Sequence, residues 1–265
     1  MSHNFSVSHR KEEPENGILY MVGTPIGNLN DISPRAINIL ANVSLIACED
    51  TRQTRKIMNK FSISNNLISF NKENSFHKIS RLITDLKAGK SVALVSDAGM
   101  PGICDPGENI VVQAKSRGIE VICIPGACAA ITALVSSGIP SSRFVFEGFL
   151  PKKKIDREQI LLKISKNEKT TIIYESPKRL KTLLEELLEF CGGDREIMVA
   201  RELTKKFEEH VSNNINNVMK FFKDKEIIGE ITIVIKGIRK RDFNPNKSII
   251  KKDLNDLIDA GLSLS

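Results

Sequence analysis

The sequence predicts a two-domain α/β protein, with a mostly parallel sheet in the N-terminal domain and a mixed sheet in the C-terminal domain. Three observations carry that prediction. The chain has 265 residues, more than one minimal core needs and enough for two domains of about 120 residues each. Through the first half, short apolar runs alternate with segments of helical periodicity, the pattern of a parallel sheet covered on both faces. In the second half, apolar runs follow one another without long crossovers, which requires antiparallel neighbours and so a mixed sheet.

Residues 1–16 lack the apolar core of a signal peptide and read as a disordered lead-in. "ILYMV" (Ile18–Val22), closed by Gly23, is a buried strand that opens a first domain over residues 17–140. In "SPRAINIL", Ser33 is placed to cap a helix and Pro34 to occupy its first position, where a proline costs no hydrogen bond. "VSLIACED" (Val43–Asp50) is the next strand and ends in two acids. "TRQTRKIMNKF" follows as a helix with Thr51 as its expected cap. "NLISF" is a short strand, and Ser75–Leu86 a helix with Ile79, Leu82, Ile83 and Leu86 on one face. "SVALVS" is a buried strand, "GENIVVQAKSRG" a helix stopped by Gly118, and "IEVICIPG" a strand that turns at Pro125-Gly126. "ACAAITALVSSG" is a helix of small residues suited to close packing.

The stretch "IPSSRFVFEGFLPKKK" (Ile139–Lys154) changes character and reads as the junction to a second domain over residues 141–238. That domain is expected to hold a helix over Asp156–Lys166, a strand "TTIIYES", and a helix opened by Pro177 and running to Cys191. Strands "EIMVARE" and "FEEHVS", a short helix near Asn216–Lys223 and a last strand "GEITIVIKG" complete it. Residues 239–265 carry a basic patch, "RKRDFNPNK", and an apolar stripe of Ile250, Leu254, Leu257 and Ile258 with no second helix after it.

Composition narrows the function classes. No apolar run reaches the ~20 residues that cross a bilayer. The five cysteines are odd in number and form no CxxC pair, so neither a disulfide framework nor a zinc knuckle is expected, and reduced thiols in a cytoplasmic setting are. His77 and His210 read as solvated positions, and no metal site is expected. Of the net charge of +7, residues 1–140 carry +2 and residues 141–265 carry +5. That bias permits an acidic partner such as RNA; a lysine-rich composition explains it equally well.

In open α/β sheets, ligands bind beyond the carboxyl ends of the strands. Four strands of the first half end in unusual loops: "VGTPIGNLND" (Val22–Asp31), "CEDTR" (Cys48–Arg52), "SDAGMPGICDPG" (Ser96–Gly107) and "PGACAA" (Pro125–Ala130). "GTPIG" is not GxGxxG and no GxxxxGK[ST] occurs, so dinucleotide and nucleotide-phosphate cradles are poorly supported. Small residues and prolines leave amides and carbonyls facing outward in fixed directions. Amides can hold a carboxylate, while carbonyls and acids tolerate a cation. The lining suits a ligand with a flat ring, a zwitterionic head and a positive centre, and S-adenosylmethionine has all three. Each loop alone is equally an ordinary tight turn; the clustering of four points to a site.

Six stretches carry a resemblance to a known family: "TPIGNLNDISPRA", "CEDTRQT", "VSDAGMPGICDPG", "IPGACAAITALVSSGIPSSRFVFEGFLP", "YESPKRL" and "ARELTKKFEE", spread from about Leu19 to Gly237. In them the chain resembles the tetrapyrrole methylase superfamily, and within it the bacterial 16S ribosomal RNA (cytidine-2′-O)-methyltransferases. The resemblance implies a two-domain tetrapyrrole-methylase-like fold, S-adenosylmethionine as cofactor and a homodimer. It also implies methylation of the 2′-hydroxyl of a decoding-centre cytidine in the 16S rRNA of the 30S subunit. Matched motif by motif, Pro25, Ser96, Asp97, Ala98, Gly99, Asp105, Pro125, Gly126, Ala129 and Ala130 fall in the cofactor loops, and Glu147, Tyr174, Glu175 and Arg201 fall where the second domain would help to hold the cofactor. The sequence departs from the pattern at Met100, where threonine is usual, and at Lys178, where histidine is common. It ends at "GLSLS", where the resembling proteins continue into a small helical module, so residues 239–265 are expected to be a truncated form of that module.

Methyl transfer from a sulfonium is an in-line displacement with a neutral leaving group, and orientation alone can remove ~7–11 kcal/mol from such a barrier. A general base acting on a ribose hydroxyl would add about 10²–10⁴ in rate. Asp31, Glu49, Asp50 and Glu202 are the candidates, with Lys205 if burial lowers its pKa. Asp50 is equally a helix cap, and Glu202 an ion-pair partner of Arg201 or Lys205. Arg52 and Arg55, one turn apart, either grip phosphates or form a solvated face, and "PKKK" (Pro151–Lys154) reads as a solvated charge run. Two rival functions stand beside this one: C-methylation of a tetrapyrrole, and a non-catalytic RNA-binding remnant.

Overall fold

The runs LYMV and VALV are buried at every residue, the environment of strands lying between two helical layers. They are β1 (Leu19–Val22) and β4 (Val92–Val95) of a five-stranded sheet completed by β2 (Leu45–Cys48), β3 (Leu67–Ser69) and β5 (Val121–Ile124). The order is β3-β2-β4-β1-β5 and every pairing is parallel. Alternation along β1 divides the core. Tyr20 and Val22 join Ile39 and Leu40 of α1 (Pro34–Asn42) and Ile57 of α2 (Thr51–Lys60) on one face. Leu19 and Met21 join Leu82 and Leu86 of α3 (Ser75–Lys87) and Ile110 of α4 (Glu108–Lys115) on the other. Each such side chain contributes ~1.5–3 kcal/mol by burial. The sheet and its two helical layers thus hold the loops at its edge.

In this computed structural model, residues 13–71, 73 and 75–238 are described. The lead-in up to residue 12, the basic tail from residue 239 with its Ile250–Ile258 stripe, and the side chain of His77 lie outside the described residues.

Local chemistry sets the helix starts. Ser33 Oγ accepts the Ala36 amide and Pro34 occupies the first turn of α1, as expected. The cap of α2 is Asp50 rather than Thr51: the Asp50 carboxylate accepts the Arg52 amide at 2.8 Å, and Thr51 is the first helical residue. An ionised oxygen one position earlier also meets the positive end of the helix, which a threonine hydroxyl does not match. From β1 the chain crosses one face to β2, and from β4 it crosses the other face to β5. The boundary between β1 and β4 is therefore the topological switch point of the sheet.

The chain divides into two units between Cys128 and Ala129. The sequence reading places its boundary after residue 140; here α5 (Ala129–Ser137) falls in the second unit, where it packs on two strands of the second sheet. That sheet runs β6 (Phe144–Phe149), β7 (Thr170–Glu175), β10 (Ile231–Ile235), β8 (Glu196–Arg201), β9 (Glu209–Asn214). β6 and β7 are parallel and the other pairs antiparallel, the mixed sheet the sequence predicts. α6 (Lys154–Lys166), α7 (Leu180–Cys191) and α8 (Ile215–Phe222) cover one face with Leu161, Leu183, Leu187 and Phe222, leaving Ile172 and Val234 to the opposite face, where α5 packs on β7 and β10.

Residues 139–154, read from the sequence as a junction, contain β6. Phe144–Phe149 is an edge strand whose register shifts between Phe146 and Gly148, and the extra residue, Glu147, breaks the period-two signal. The helix expected from Pro177 begins as a 3₁₀ turn (Pro177–Arg179) before α7 takes over. Among the described residues, no helix is long and apolar enough to cross a membrane.

Candidate functional site

All four loops that the sequence singles out are joined to one another at the carboxyl edge of the first sheet. Thr24 and Gly99 form an isolated antiparallel bridge: the Thr24 amide donates to the Gly99 carbonyl at 2.8 Å, and the Gly99 amide to the Thr24 carbonyl at 3.1 Å. Thr24 Oγ1 adds bonds to the carbonyls of Ser96 and Gly99 at 3.4 and 3.3 Å. These bonds tie the loop after β1 to the loop after β4 across the switch point. Gly99 has φ +79°, a conformation that costs a side chain dearly and glycine nothing.

The loop after β5 joins by backbone contact. A Cβ on Gly126 would stand 2.7 Å from the Gly23 Cα, closer than two chains bearing side chains can approach. Met100 packs its sulfur over the same glycine, so the residue that departs from the family pattern fills space beside Gly23. The loop after β2 joins through the Asp50 amide, which donates to the Asp97 carboxylate at 2.9 Å.

Two carboxylates at this edge are driven in opposite directions. Arg52 grips Asp50 through Nε at 3.0 and 3.1 Å and through NH2 at 2.6 Å. The Arg52 side-chain bonds, then its amide, hold the Asp50 carboxyl down at about 2. Asp97 is raised above the usual aspartate value, first by partial loss of solvent and then by the neighbouring Asp50 charge. Ser96 is buried and its hydroxyl donates back to the carbonyls of Ala98 and Gly99 at 3.3 and 3.5 Å, so it shapes the turn. Pro25 is buried, Ala98 and Asp105 half-buried, and Pro125 and Gly126 exposed. Asp31 is exposed at the end of a 3₁₀ turn (Leu29–Asp31), and Arg52 and Arg55 are exposed on α2.

The second unit carries the remaining expected residues. Ala129 and Ala130 form the first turn of α5, and the Ala130 amide donates to the Tyr174 hydroxyl at 3.1 Å. The Tyr174 ring meets Phe146 edge-on at 4.9 Å and Phe149 at 5.6 Å, with Glu147 half-buried in the bulge of the same strand. Arg201 bonds the Glu209 carboxylate at 3.1 Å and the Ile228 carbonyl at 3.2 Å.

The Glu175 side chain is 0% exposed, bonds Arg179 at 2.6 Å and Arg157 at 3.3 Å, and accepts the Ser176 amide at 2.7 Å. Lys205 is not a base with a lowered pKa. Burial pulls it down, but bonds to Glu202 at 2.8 Å and Glu230 at 3.1 Å outweigh burial and leave it raised. Its partner Glu202 is pushed up by burial, yet the Lys205 bond and the Glu230 amide at 2.9 Å prevail and leave it lowered.

Thr24 and Arg157 are the residues that sequence reasoning passes over. A threonine inside "GTPIG" looks like turn chemistry, and only its burial reveals a bridge. Arg157 lies on a helix whose charges otherwise face solvent; the signal is a guanidinium one turn before an apolar pair, Leu161 and Leu162. Among the described residues, no group of three or more His, Cys, Asp or Glu is placed to hold a metal ion.

The chain has counterparts among known proteins. Residues 18–218 match the family described as "Tetrapyrrole (Corrin/Porphyrin) Methylases". The chain is 44% identical, over 94% of its length and 90% of the relative's, to "Ribosomal RNA small subunit methyltransferase I" of Synechocystis sp.. It is 48% identical to the protein of the same name from Bacillus subtilis, over 86% of this chain and 78% of that one. Among solved structures, a uroporphyrin-III C-methyl transferase from Thermus thermophilus, complexed with S-adenyl homocysteine, superposes with a TM-score of 0.56 at 16% identity, covering 82% of this chain and 96% of that one. With three quarters of its length matched by the family and relatives above 40% identity along most of it, the chain belongs to the tetrapyrrole (corrin/porphyrin) methylases.

Proposed function

We propose that this chain is an S-adenosylmethionine-dependent methyltransferase of small-subunit ribosomal RNA, and that its product is a 2′-O-methylated cytidine of 16S rRNA in the 30S subunit. The observation that carries the reading is near-full-length identity of 44% to 48% with relatives named as methyltransferases of small-subunit ribosomal RNA. The choice of the ribose hydroxyl of a cytidine rests on the motif resemblance from "TPIGNL" to "ARELTKKFEE". The homodimer rests on the same resemblance, and a doubled mass by light scattering is its check.

The residues present fit the cofactor. Gly126, exposed at the turn after β5, has no Cβ and so lies directly against the Gly23 backbone, which keeps this edge open to a ligand. The acids at the edge, Asp97 and Asp105, suit a positively charged centre better than a phosphate, which would demand cations. When bound, S-adenosylmethionine supplies an electrophilic methyl on a cationic sulfur. The chain's own part is to bind and orient: the Thr24–Gly99 bridge and the Gly23–Gly126 contact fix the lining, and Tyr174 fixes the first turn of α5.

Of the candidate bases, Asp50 and Glu202 are held ionised below their usual range, and Lys205 is held charged. None of the three is disposed to take a proton near neutral pH. Asp97 is raised above the usual aspartate value, first by partial loss of solvent and then by the neighbouring Asp50 charge.

The test is transfer of labelled methyl from S-adenosylmethionine to 30S subunits that lack the modification, followed by digestion to nucleosides. Label in 2′-O-methylcytidine is the expected result. Label on a base, or no transfer, overturns the proposal.

A further inference from the structure

The loop that joins β8 to β9 is built at a cost and presents Lys206, Phe207 and Glu208 outward. Glu202 and Thr204 both have positive φ, +53° and +66°, conformations that non-glycine residues avoid and that gather at ligand clamps. The Lys205 amide closes on the Glu202 carbonyl at 3.0 Å, the Glu208 amide on the Lys205 carbonyl at 3.1 Å, and the Glu208 carboxylate accepts the Thr204 amide at 2.7 Å. Leu203 is buried and anchors the loop.

The charges of the loop are almost all consumed in holding it. Arg201 pairs with Glu209 at 3.1 Å, Lys205 with Glu202 and Glu230, and Glu208 with His210 at 2.8 Å. Lys206 has no ion pair among the described residues; its ammonium lies 5.5 Å from the centre of the Phe207 ring. Phe207 is 66% exposed, the most exposed aromatic side chain among the described residues. Exposed single aliphatic residues need no explanation. An aromatic face held out on a pre-ordered loop, beside an unneutralised cation, is the pairing that single-stranded nucleic acid binders use: the ring stacks on a base and the cation meets the phosphate. Because the loop is already ordered, little conformational freedom is lost when a base docks.

We propose that Phe207 is a stacking platform for an unpaired base of the RNA substrate, with Lys206 contacting the adjoining phosphate. The inference rests on the ribosomal RNA reading above and names a residue that would recognise that RNA.

The test uses the full chain and a fluorescein-labelled single-stranded RNA of about twelve nucleotides containing a cytidine. Phe207→Ala should weaken RNA binding roughly 5- to 150-fold, the effect of losing one stacked base. Phe207→Trp should bind at least as well as the parent, whereas Phe207→Leu, apolar without a π-face, should behave as the alanine variant. Lys206→Ala should lower the slope of log affinity against log salt by about 0.7, one phosphate contact on a single strand. S-adenosylmethionine affinity, measured by calorimetry, should stay within about twofold in all four variants, and the KM for 30S subunits should rise in Phe207→Ala, Phe207→Leu and Lys206→Ala, but not in Phe207→Trp, while kcat holds. Parent-like RNA binding by Phe207→Ala, rescue by Phe207→Leu, a parallel loss of cofactor binding, or a smaller assembly mass by light scattering would each overturn the assignment. If the parent fails to methylate 30S subunits while Phe207→Ala still loses RNA binding, the stacking role stands and the ribosomal RNA reading falls.

Discussion

Glu175 is the most deeply buried carboxylate described in the second unit, and replacing its partner Arg157 by methionine measures what that burial demands. Arg157 NH2 lies 3.3 Å from Glu175 and 2.7 Å from Glu186, and its Nε bonds both Glu186 oxygens at 2.9 and 2.8 Å. Burial works against the guanidinium, but Glu186 and then Glu175 outweigh it and raise its pKa. At an effective dielectric constant of about 20, two charges 3.3 Å apart attract by about 5 kcal/mol before desolvation is counted. Breaking a buried pair from one side costs ~3–5 kcal/mol because a charge is stranded. Here Arg179 at 2.6 Å and the Ser176 amide at 2.7 Å still hold Glu175, and Glu186 is partly solvated, so the lower end applies, ~3 kcal/mol.

For a domain of about a hundred residues that loss lowers the melting temperature by roughly 10 °C or more. Scanning calorimetry of Arg157→Met is the assay. Adding Glu175→Gln to the same chain removes the stranded charge and should recover more than half of the loss, since Arg179 is partly exposed and keeps water. An unshifted transition in the single variant would refute the reasoning. So would a double variant as unstable as the single one, which would mean that Glu175 is satisfied without Arg157.

Three further outcomes follow from the site. Gly126→Ala places a Cβ 2.7 Å from the Gly23 backbone, so cofactor affinity by calorimetry should fall more than tenfold while far-UV circular dichroism is retained; parent-like affinity would show that the two loops part freely. Tyr174→Phe removes the acceptor of the Ala130 amide, a loss of ~1 kcal/mol that should speed hydrogen exchange in the first turn of α5 about fivefold. In a carboxyl NMR titration, Asp50 should titrate at about 2 and return toward 3.8 in Arg52→Ala. Because its folded pKa is depressed, the stability it contributes is complete above about pH 4 and is lost as pH falls toward 2.

Much of the fold was legible because its signals are local. Ser33-Pro34 marks the start of α1 by cap chemistry alone, and LYMV and VALV announce buried parallel strands by composition. What escaped depends on partners distant in the chain. β6 was hidden because the bulge at Glu147 breaks its alternation. The packing of α5 on β7 and β10 is not legible either, because a stripe of small residues does not say which sheet it faces. Glu175 reads as an acid in a motif, and only the arrival of Arg157 from a separate helix, beside Arg179 four residues on, shows that its side chain belongs to the interior. Lys205 was misjudged for the same reason, since Glu230 approaches from far along the sequence.

The determinants of the candidate site are mostly backbone, and that explains both why motifs announced it and why individual roles did not follow. Thr24, Gly99, Gly23 and Gly126 act through amides, carbonyls and missing Cβ atoms, so their spacing survives in the sequence while their partners do not. Side chains that could supply strong acid–base chemistry are instead spent on holding loops: Asp50 caps α2 and grips Arg52, and Glu202 and Lys205 close the β8–β9 loop. Orientation by a rigid lining can supply ~7–11 kcal/mol, and a general base only about 3–5 kcal/mol in rate terms. A transfer whose leaving group departs neutral needs the first more than the second. Rigid turns at a switch point are suited to such a reaction, and the Asp50 amide bond to the Asp97 carboxylate makes even the charged groups of this edge part of the lining.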